Sequence, residues 1–332
     1  FGSSSASCAR QKCGPVCTSL DTLVMGCCCS KKSVAIQEGA RLNDGSAGAG
    51  GAQPEASVIG KTGGSKAAAK TCSPDVLKGK LDQAAKTRTL ALRDCGLKSL
   101  PPAATRDELA SLTTADLSIN RLSSLPASIA TWVELKVLNA SDNNLERLPD
   151  QMGDLLKLQK LSLSRNKLQV LPLCLGGLPL TELKCDQNTL PAIPDIFGGP
   201  LTNTLVELDI SGNQVMDLPP SICHLRLLTR LLLNRNKLTA LPLASVESDS
   251  SSLSRLQHVD AADNKIGSIG PGTLRLPSLS ELWLKNNPID RLELQKVDGF
   301  NEFAERRKQK LDKKIDQNVV GEVDLDMCGL TK

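Results

Sequence analysis

The chain has 332 residues, of which 40 are basic and 36 acidic, and only 2% are aromatic. This even charge balance and this shortage of rings for base stacking argue against a nucleic-acid-binding protein. Hydrophobic residues make up 40%, but no run approaches the roughly 18 consecutive apolar residues of a membrane-spanning helix. Since no pattern typical of a secretory signal is found, we expect the 12 cysteines to be reduced thiols in the cytosol.

The segment MGCCCSKK at 25–32 fits the M-G-x-x-x-S pattern of N-myristoylation. The predicted lipidated positions are Gly26 for myristate and Cys27, Cys28 and Cys29 for palmitate. One myristoyl chain gives only marginal membrane binding, so a second acyl chain is expected to make the attachment stable. Residues 1–24 contain no Met and are then a leader or a non-native extension. If they remain attached, Gly26 is never N-terminal and the motif has no role.

Two further segments follow this motif. Residues 33–72 are rich in Gly, Ala and Ser without an apolar period, which predicts a disordered linker. At 73–86 we expect a cap helix, because Ser73 is a good N-cap, Pro74 suits the first helical position and Asp75 places an acid in the first turn. The apolar side chains expected to cover the strand that comes next are Val76, Leu77, Leu81, Ala84 and Ala85.

An internal repeat occupies residues 87–292. The segment LQKLSLSRNKLQVLP at 158–172 fits L-x-x-L-x-L-x-x-N-x-L-x-x-L-P at every fixed position. The Asn of this pattern recurs at Asn120, Asn143, Asn166, Asn188, Asn213, Asn236, Asn264 and Asn287. A weaker copy precedes them with Cys95 in the Asn position. The sequence therefore predicts nine repeats, with spacings of 22 to 28 residues between successive Asn.

Each part of the repeat has a physical meaning. The Leu-x-Leu alternation has period two and predicts a short strand with Leu inside. The Asn carries a donor and an acceptor that can pair buried backbone groups where the chain turns inward. Apolar spacing of three in the return segment indicates a short helix or 3-10 turn. The predicted fold is an α/β solenoid with a parallel concave sheet, a helical or 3-10 convex side and helical caps.

This pattern resembles the leucine-rich-repeat superfamily, and within it the intracellular, 23-residue Ras-group-related class. The C-terminal segment KVDGFNEFAERRK at 296–308, followed by DKKID at 312–316, is similar to the ending of the animal family called leucine-rich repeat-containing protein fifty-seven and its plant counterparts. The resemblance covers residues 25 to about 320, with the long linker as the main departure. It implies protein binding without catalysis.

Residues 293–317 are expected to form a C-terminal cap and a basic helix, with a tail at 318–332. The apolar side chains expected to close the last repeat are Leu292, Leu294, Val297, Phe300 and Phe303. The basic positions that follow are Arg306, Arg307, Lys308, Lys310, Lys313 and Lys314. Two interpretations stay open for this helix: a solvated cap helix, or a surface attracted to anionic lipid.

Patterns typical of enzymes and metal sites are incomplete. GKT at 60–62 ends like a phosphate loop, but Glu55 stands where the first Gly is required. The N-terminal cysteines lack C-x-x-C knuckles and a neighbouring His, so zinc is not expected. His224 is predicted on the return segment and His258 on a strand, where they cannot form one catalytic pair. We expect no enzyme activity, no cofactor, no metal and no small-molecule substrate.

The two tryptophans are predicted to face opposite ways. Trp132 falls on an apolar slot six residues after Pro126 and belongs to the core, whereas Trp283 lies between Leu282 and Leu284 and points outward. The predicted partner site is Arg230, Leu232, Arg235, His258 and Trp283. The neighbouring residues Glu182, Lys184, Asp186, Glu207 and Asp209 are mostly acidic and would steer a basic region of the partner. In the alternative interpretation, Trp283 rests on the C-terminal cap.

These features predict a non-catalytic adaptor or scaffold for intracellular signalling, peripheral at the cytoplasmic face of the plasma membrane. The alternative is a regulatory subunit or activator of an enzyme such as a small GTPase or a protein phosphatase. The insertion at 245–252 is expected to be a surface loop, with serine phosphorylation as a second interpretation.

Overall fold

A computed structural model describes residues 72–244, 253–316 and 327–330. The predicted lipidation motif at 25–32, the segments 1–24 and 33–71, the insertion at 245–252 and most of the tail lie outside the described residues. Within the described ranges, a helix with both the length and the hydropathy to cross a bilayer is absent.

Nine three-residue strands form one parallel sheet in the order β1-β2-β3-β4-β5-β6-β7-β9-β11. Their bounds are β1 (Thr89–Ala91), β2 (Thr114–Asp116), β3 (Val137–Asn139), β4 (Lys160–Ser162), β5 (Glu182–Lys184), β6 (Glu207–Asp209), β7 (Arg230–Leu232), β9 (His258–Asp260) and β11 (Glu281–Trp283). The short strands β8 (Ala240–Leu241) and β10 (Ser268–Ile269) pair with each other in a separate parallel sheet. Nine repeats were expected from the spacing, and one strand per repeat confirms the predicted solenoid.

The central side chain of each strand in the large sheet is fully buried. These side chains are Leu90, Ala115, Leu138, Leu161, Leu183, Leu208, Leu231, Val259 and Leu282. Because successive side chains of a strand point to opposite faces, the first and third residues of each strand lie on the outer face of the sheet. We call that outer face the concave face.

The return segments contain 3-10 helices. They are η1 (Pro102–Thr105), η2 (Asp107–Leu109), η3 (Ala127–Thr131), η4 (Asp150–Asp154), η5 (Leu173–Gly177), η6 (Gly199–Asn203), η7 (Pro220–His224) and η8 (Thr273–Arg275). A proline in an extended conformation directly precedes η1, η3, η4, η5 and η7. Because the segment after the proline has only about five residues, it forms one tight 3-10 turn instead of an α-helix. A single apolar side chain of the turn, such as Ile129 or Met152, then enters the core.

The N-terminal cap is α1 (Pro74–Thr87), in the segment for which the sequence predicts a cap helix. The Ser73 hydroxyl accepts a hydrogen bond from the backbone N–H of Val76 at 3.4 Å. Leu81 and Ala84 are buried against the first repeat, and Leu77 packs on it in part. Val76 and Ala85 are exposed, so the prediction that they cover the first strand is wrong.

The C-terminal cap comprises α2 (Arg291–Lys296), α3 (Phe300–Asp316) and η9 (Met327–Gly329). Leu294 and Phe303 are fully buried, and Val297 and Phe300 pack against the core in part. Leu292 is 67% exposed, which contradicts its predicted capping role. Asp290 caps α2 by accepting from the Glu293 N–H at 2.7 Å, and this start places Leu294 on the inner face and Leu292 outside.

Three basic residues of α3 face the repeats instead of solvent. The Arg306 guanidinium donates to the carbonyl oxygens of Leu279 and Leu274, and burial lowers the pKa of Arg306. Arg307 is 7% exposed, and the Lys310 amine donates to Ser280 Oγ at 3.2 Å. This face of α3 therefore packs on the repeats as a cap, and Arg306 binds backbone carbonyls that no further repeat follows to cover. Lys308 and Lys313 remain exposed.

Candidate protein-binding face

Two parallel rows of side chains cross the concave face. The first row contains the first residue of each three-residue strand. The third row contains the third residue of each strand, and the second residue is buried. The strand register places Arg230 beside His258 and His258 beside Glu281 in the first row. In the third row, it places Leu232 beside Asp260 and Asp260 beside Trp283. Neighbouring members of a row are one strand spacing apart, about 4.8 Å.

The structure brings four of the five predicted partner residues into these rows. Arg230 is exposed, and Leu232, His258 and Trp283 are partly buried. Arg235 lies apart from both rows, in the turn after β7, with a positive φ of 57°. Its Nε atom is 3.8 Å from Asp263 Oδ2 of the next repeat. Arg235 therefore borders the site at the carboxyl ends of the strands.

The acidic patch predicted beside the site is neutralised in part by basic residues. Glu182 lies 2.6 Å from Lys184 Nζ and 3.0 Å from Lys160 Nζ. Glu207 lies 3.6 Å from Lys184 Nζ and 3.6 Å from Arg230 Nη1. These contacts form a continuous chain of alternating charge from β4 to β7. Two of the four predicted carboxylates, Glu182 and Glu207, thus have cationic neighbours, and the steering of a basic partner stays a prediction.

The electrostatics of this charged chain follow from those contacts. The Lys184 amine holds the pKa of Glu182 below its usual range, and Glu182 in turn raises the pKa of Lys184. Asp209 behaves differently, because burial raises the pKa of its carboxyl while Ser211 hydrogen bonds oppose the rise. Its Oδ1 atom accepts from the Ser211 backbone N–H at 3.0 Å and from the Ser211 hydroxyl at 2.6 Å. These hydrogen bonds hold Asp209 at the end of β6, where it lies beside Leu232 in the third row.

A pocket that was not predicted from the sequence lies at the first row. His258 Nδ1 is 2.9 Å from Glu281 Oε2, and Glu281 Oε1 is 3.2 Å from Lys310 Nζ of α3. Together with Thr229, Arg230 and Gln257, these side chains line a shallow pocket of about 460 Å³. Sequence reasoning missed Lys310, since a basic helix gives no signal of which face meets the repeats. The C-terminal cap therefore contributes a cation to the concave face.

Trp283 is in contact with the C-terminal turn. The Leu284 N–H donates to the Cys328 carbonyl at 2.9 Å, which fixes η9 on the edge of β11. A Cβ atom added at Gly329 would lie 3.7 Å from Trp283 Cε3, and Gly329 has a φ of +69°. One side of the Trp283 ring thus meets this turn, as in the alternative interpretation, and the side chain remains partly exposed.

Comparisons with known proteins agree with this architecture. The model for Leucine Rich repeats (2 copies) matches residues 254–296, and the Leucine Rich Repeat model matches 157–178 and 204–225. Together with the nine-stranded parallel sheet, these matches show that the chain contains leucine-rich repeats that form a solenoid. Proteins with such repeats generally act in protein–protein interaction.

Relatives are similar over limited regions. A Drosophila melanogaster leucine-rich repeat and calponin homology domain-containing protein is 37% identical over 164 residues, which are 49% of this chain and 20% of that protein. The plant intracellular Ras-group-related LRR protein 7 of Oryza sativa subsp. japonica is 46% identical over 43 residues, which are 13% of this chain and 16% of that protein. The matches thus span a fifth or less of these relatives, and the resemblance to the animal fifty-seven family stays a prediction.

Two solved structures share the fold. The ectodomain of the Arabidopsis thaliana receptor kinase GASSHO1/SCHENGEN3, solved with CASPARIAN STRIP INTEGRITY FACTOR 2, has a TM-score of 0.52 and 26% identity over 64% of this chain and 26% of that chain. The functional domain of InlJ from Listeria monocytogenes has a TM-score of 0.51 and 24% identity over 66% of this chain and 42% of that chain. The second likeness concerns the fold alone.

Proposed function

We propose that this protein is a non-catalytic adaptor that recognises another protein on its concave face, centred on β7, β9 and β11 of repeats seven to nine. The observation that carries the proposal is the third row, where Leu232 and Trp283 flank Asp260 in strand register. Tryptophan offers a large rigid surface at low entropic cost, and it is enriched among the residues that dominate binding energy.

The first row supplies the polar part of the proposed site. Arg230 has an exposed side chain whose only ion pair in the described part of the chain is a 3.6 Å contact with Glu207. A contact of that length between exposed groups contributes little, so the guanidinium can turn to a carboxylate of the partner. The partner that fits is a segment with an acidic side chain next to an apolar one, spaced to meet the two rows.

Trp283→Ala is expected to weaken partner binding about 30-fold, which corresponds to roughly 2 kcal/mol for a buried anchor. Arg230→Ala is expected to weaken it as well, by less. The measurement is affinity capture with the wild-type chain, followed by titration of the captured partner against each variant. Leu173→Ala is the matched control, because Leu173 is a 70% exposed apolar residue on the return segment η5.

Melting curves accompany these titrations, since a variant that unfolds would lose binding for another reason. If Trp283→Ala and Arg230→Ala both retain full affinity and melt normally, the concave face of repeats seven to nine is not the site. Loss of binding in Leu173→Ala alone would move the site to the convex side.

We further propose that the chain is tethered to the cytoplasmic face of the plasma membrane by acylation of Gly26 and of one or more of Cys27, Cys28 and Cys29. The support is the sequence motif together with the two lysines that follow it. The C-terminal helix adds little to this attachment, because Arg306, Arg307 and Lys310 are engaged with the repeats. The acyl chains therefore carry the membrane affinity.

For a chain that begins at Met25, Gly26→Ala is expected to move most of the protein from the membrane fraction to the supernatant. Alanine keeps the α-amine, but the myristoylation motif requires glycine at this position, so the change removes the first lipid signal. Single lipid signals hold proteins only marginally. Gly79→Ala is the matched control, because a Cβ at Gly79 meets nothing within 4 Å. Mass spectrometry that finds Gly26 unmodified, or residues 1–24 still attached in the native protein, would rule out the tether.

A further inference from the structure

The first repeat has a cysteine in the position where the other repeats have asparagine. Cys95 is 2% exposed, and its backbone N–H donates to Asn120 Oδ1 of the next repeat at 3.1 Å. In later repeats, the asparagine at this position also donates back to a carbonyl of the repeat before it, as Asn143 does to Leu117. The first repeat has only the cap helix α1 before it. An asparagine at position 95 would have no preceding repeat whose carbonyl its side chain could bind. A cysteine thiol occupies this position instead.

A second cysteine lies beside Cys95. The backbone N–H of Cys72 donates to the Cys95 carbonyl at 3.1 Å, which places the two residues side by side. A direct backbone hydrogen bond holds two Cα atoms at roughly the 4.4–6.8 Å that disulfides span. Cys72 is half-buried and precedes the N-cap residue Ser73. Bond formation therefore needs rotation of side chains, without movement of the backbone.

A lysine of α1 completes the cluster. Lys80 Nζ lies 3.4 Å from Cys95 Sγ and donates to the Ala91 carbonyl at 3.0 Å. Burial raises the pKa of the Cys95 thiol, and the Lys80 ammonium opposes that rise by favouring the thiolate. The more accessible Cys72 is suited to react first with an oxidant, and Cys95 is suited to resolve the product.

We propose that Cys72 and Cys95 are a redox-responsive pair that closes into a disulfide in the presence of glutathione disulfide. The Cys72 thiolate attacks one sulfur of glutathione disulfide, which forms a mixed disulfide and releases one glutathione thiolate. The Cys95 thiolate then attacks the Cys72 sulfur and releases the second glutathione. The two thiols lose two electrons and two protons, and glutathione disulfide is reduced to two glutathione molecules.

The bond ties the point where the chain enters the solenoid to the first repeat. It closes a loop from residue 72 to residue 95 that contains the whole of α1, and cross-links of this kind restrict the unfolded chain. The cap helix is then held on the repeat covalently, and the direction in which residues before 72 leave the solenoid is fixed. Cys174 is half-buried like Cys72 but makes no thiol contact in the described part of the chain.

The test equilibrates the reduced full-length chain in buffers of increasing glutathione disulfide to glutathione ratio, alkylates free thiols and digests with trypsin. The expected product is peptide 71–78 joined to peptide 94–98, since trypsin cleaves after Lys70, Lys78, Arg93 and Lys98. Cys72→Ser and Cys95→Asn should abolish this product, and Cys174→Ser should leave it unchanged. The oxidised wild type should melt about 5–10 °C higher than the reduced one.

Three outcomes would overturn the proposal. Cys72 could be recovered as a stable glutathione adduct with Cys95 alkylated, or Cys72 could be joined to a cysteine among residues 8–29. The third outcome is that both thiols stay free while Cys174 reacts. Cys95→Asn is used because asparagine occupies this position in the other repeats, and Cys72→Ser changes only a half-buried side chain. Circular dichroism of each variant checks that the solenoid has formed.

Discussion

Replacing Trp132 with alanine is expected to lower the free energy of unfolding by about 3–5 kcal/mol. The indole ring is fully buried in the return segment of the second repeat, beside the 3-10 helices that stack on the convex side. Its Nε1 atom donates to the Ala104 carbonyl at 2.9 Å. The substitution therefore leaves a cavity and also removes the hydrogen-bond donor of a buried carbonyl, and both effects lower stability.

Urea unfolding and thermal melting measure this effect, and a decrease of the melting temperature on the order of 10 °C is expected. Trp283→Ala is the matched control, because the ring is partly exposed at the outer end of β11. That variant should lose about 1 kcal/mol, the usual cost of a change at a partly exposed position. Equal losses in the two variants would contradict the assignment of one ring to the core and the other to the concave face.

The opposite directions of the two tryptophans could be predicted because both positions follow from the repeat pattern. The Leu-x-Leu alternation and the recurring asparagine specify which side chains enter the core, where strands begin and how many strands there are. These features depend on contacts between equivalent positions of neighbouring repeats. The pattern of one repeat therefore predicts them for all the repeats that share it. The structure agrees at the level of individual strand partners, as with Leu208 beside Leu231.

The polar organisation of the concave face could not be predicted in the same way. Lys160, Glu182, Lys184 and Glu207 lie in three different repeats, and their pairing depends on side-chain conformations that the repeat pattern does not specify. Counting the acids of two repeats suggested an acidic surface. A sum over three neighbouring repeats, with Lys160 included, still gives four acids against two bases, so only the contacts show which carboxylates are paired.

The caps were predictable in position but not in orientation. Their helices are not repeated, so no second copy indicates which face is buried. Leu292 and Val76 were expected inside because they are apolar, and Arg306 was expected outside because it is charged. The structure reverses these positions, since a guanidinium can donate to carbonyls at the end of the last repeat while its aliphatic stem covers apolar surface.

The asparagine ladder connects each repeat to both of its neighbours. Asn213 Oδ1 accepts from the Leu190 N–H of the preceding repeat at 3.1 Å. Its Nδ2 atom donates to the Cys185 carbonyl of that same repeat at 3.0 Å, and to the Ile210 and Ser211 carbonyls of its own strand end at 3.0 and 3.2 Å. One side chain thus pairs backbone groups of two repeats at the point where the chain leaves the sheet.

Asn213→Ala is expected to lower the free energy of unfolding by about 1–3 kcal/mol, the cost of one buried group left unpaired. The buried Leu190 N–H loses its acceptor, whereas the Cys185 carbonyl keeps a hydrogen bond from Asn188 Nδ2 at 3.0 Å. The loss should appear as a lower urea midpoint with an unchanged slope, because the same surface is exposed on unfolding.

Asn234→Ala is the matched control, two residues before the ladder position of the next repeat. The Asn234 side chain is partly exposed and makes no hydrogen bond within the described part of the chain. Its removal should change stability by no more than about 0.5 kcal/mol. The difference between the two variants measures the stability that the asparagine ladder contributes, since both substitutions remove the same amide side chain from adjacent repeats. Equal midpoints would mean that water replaces the lost amide at Asn213, and that the stacking of leucines alone holds the repeats together.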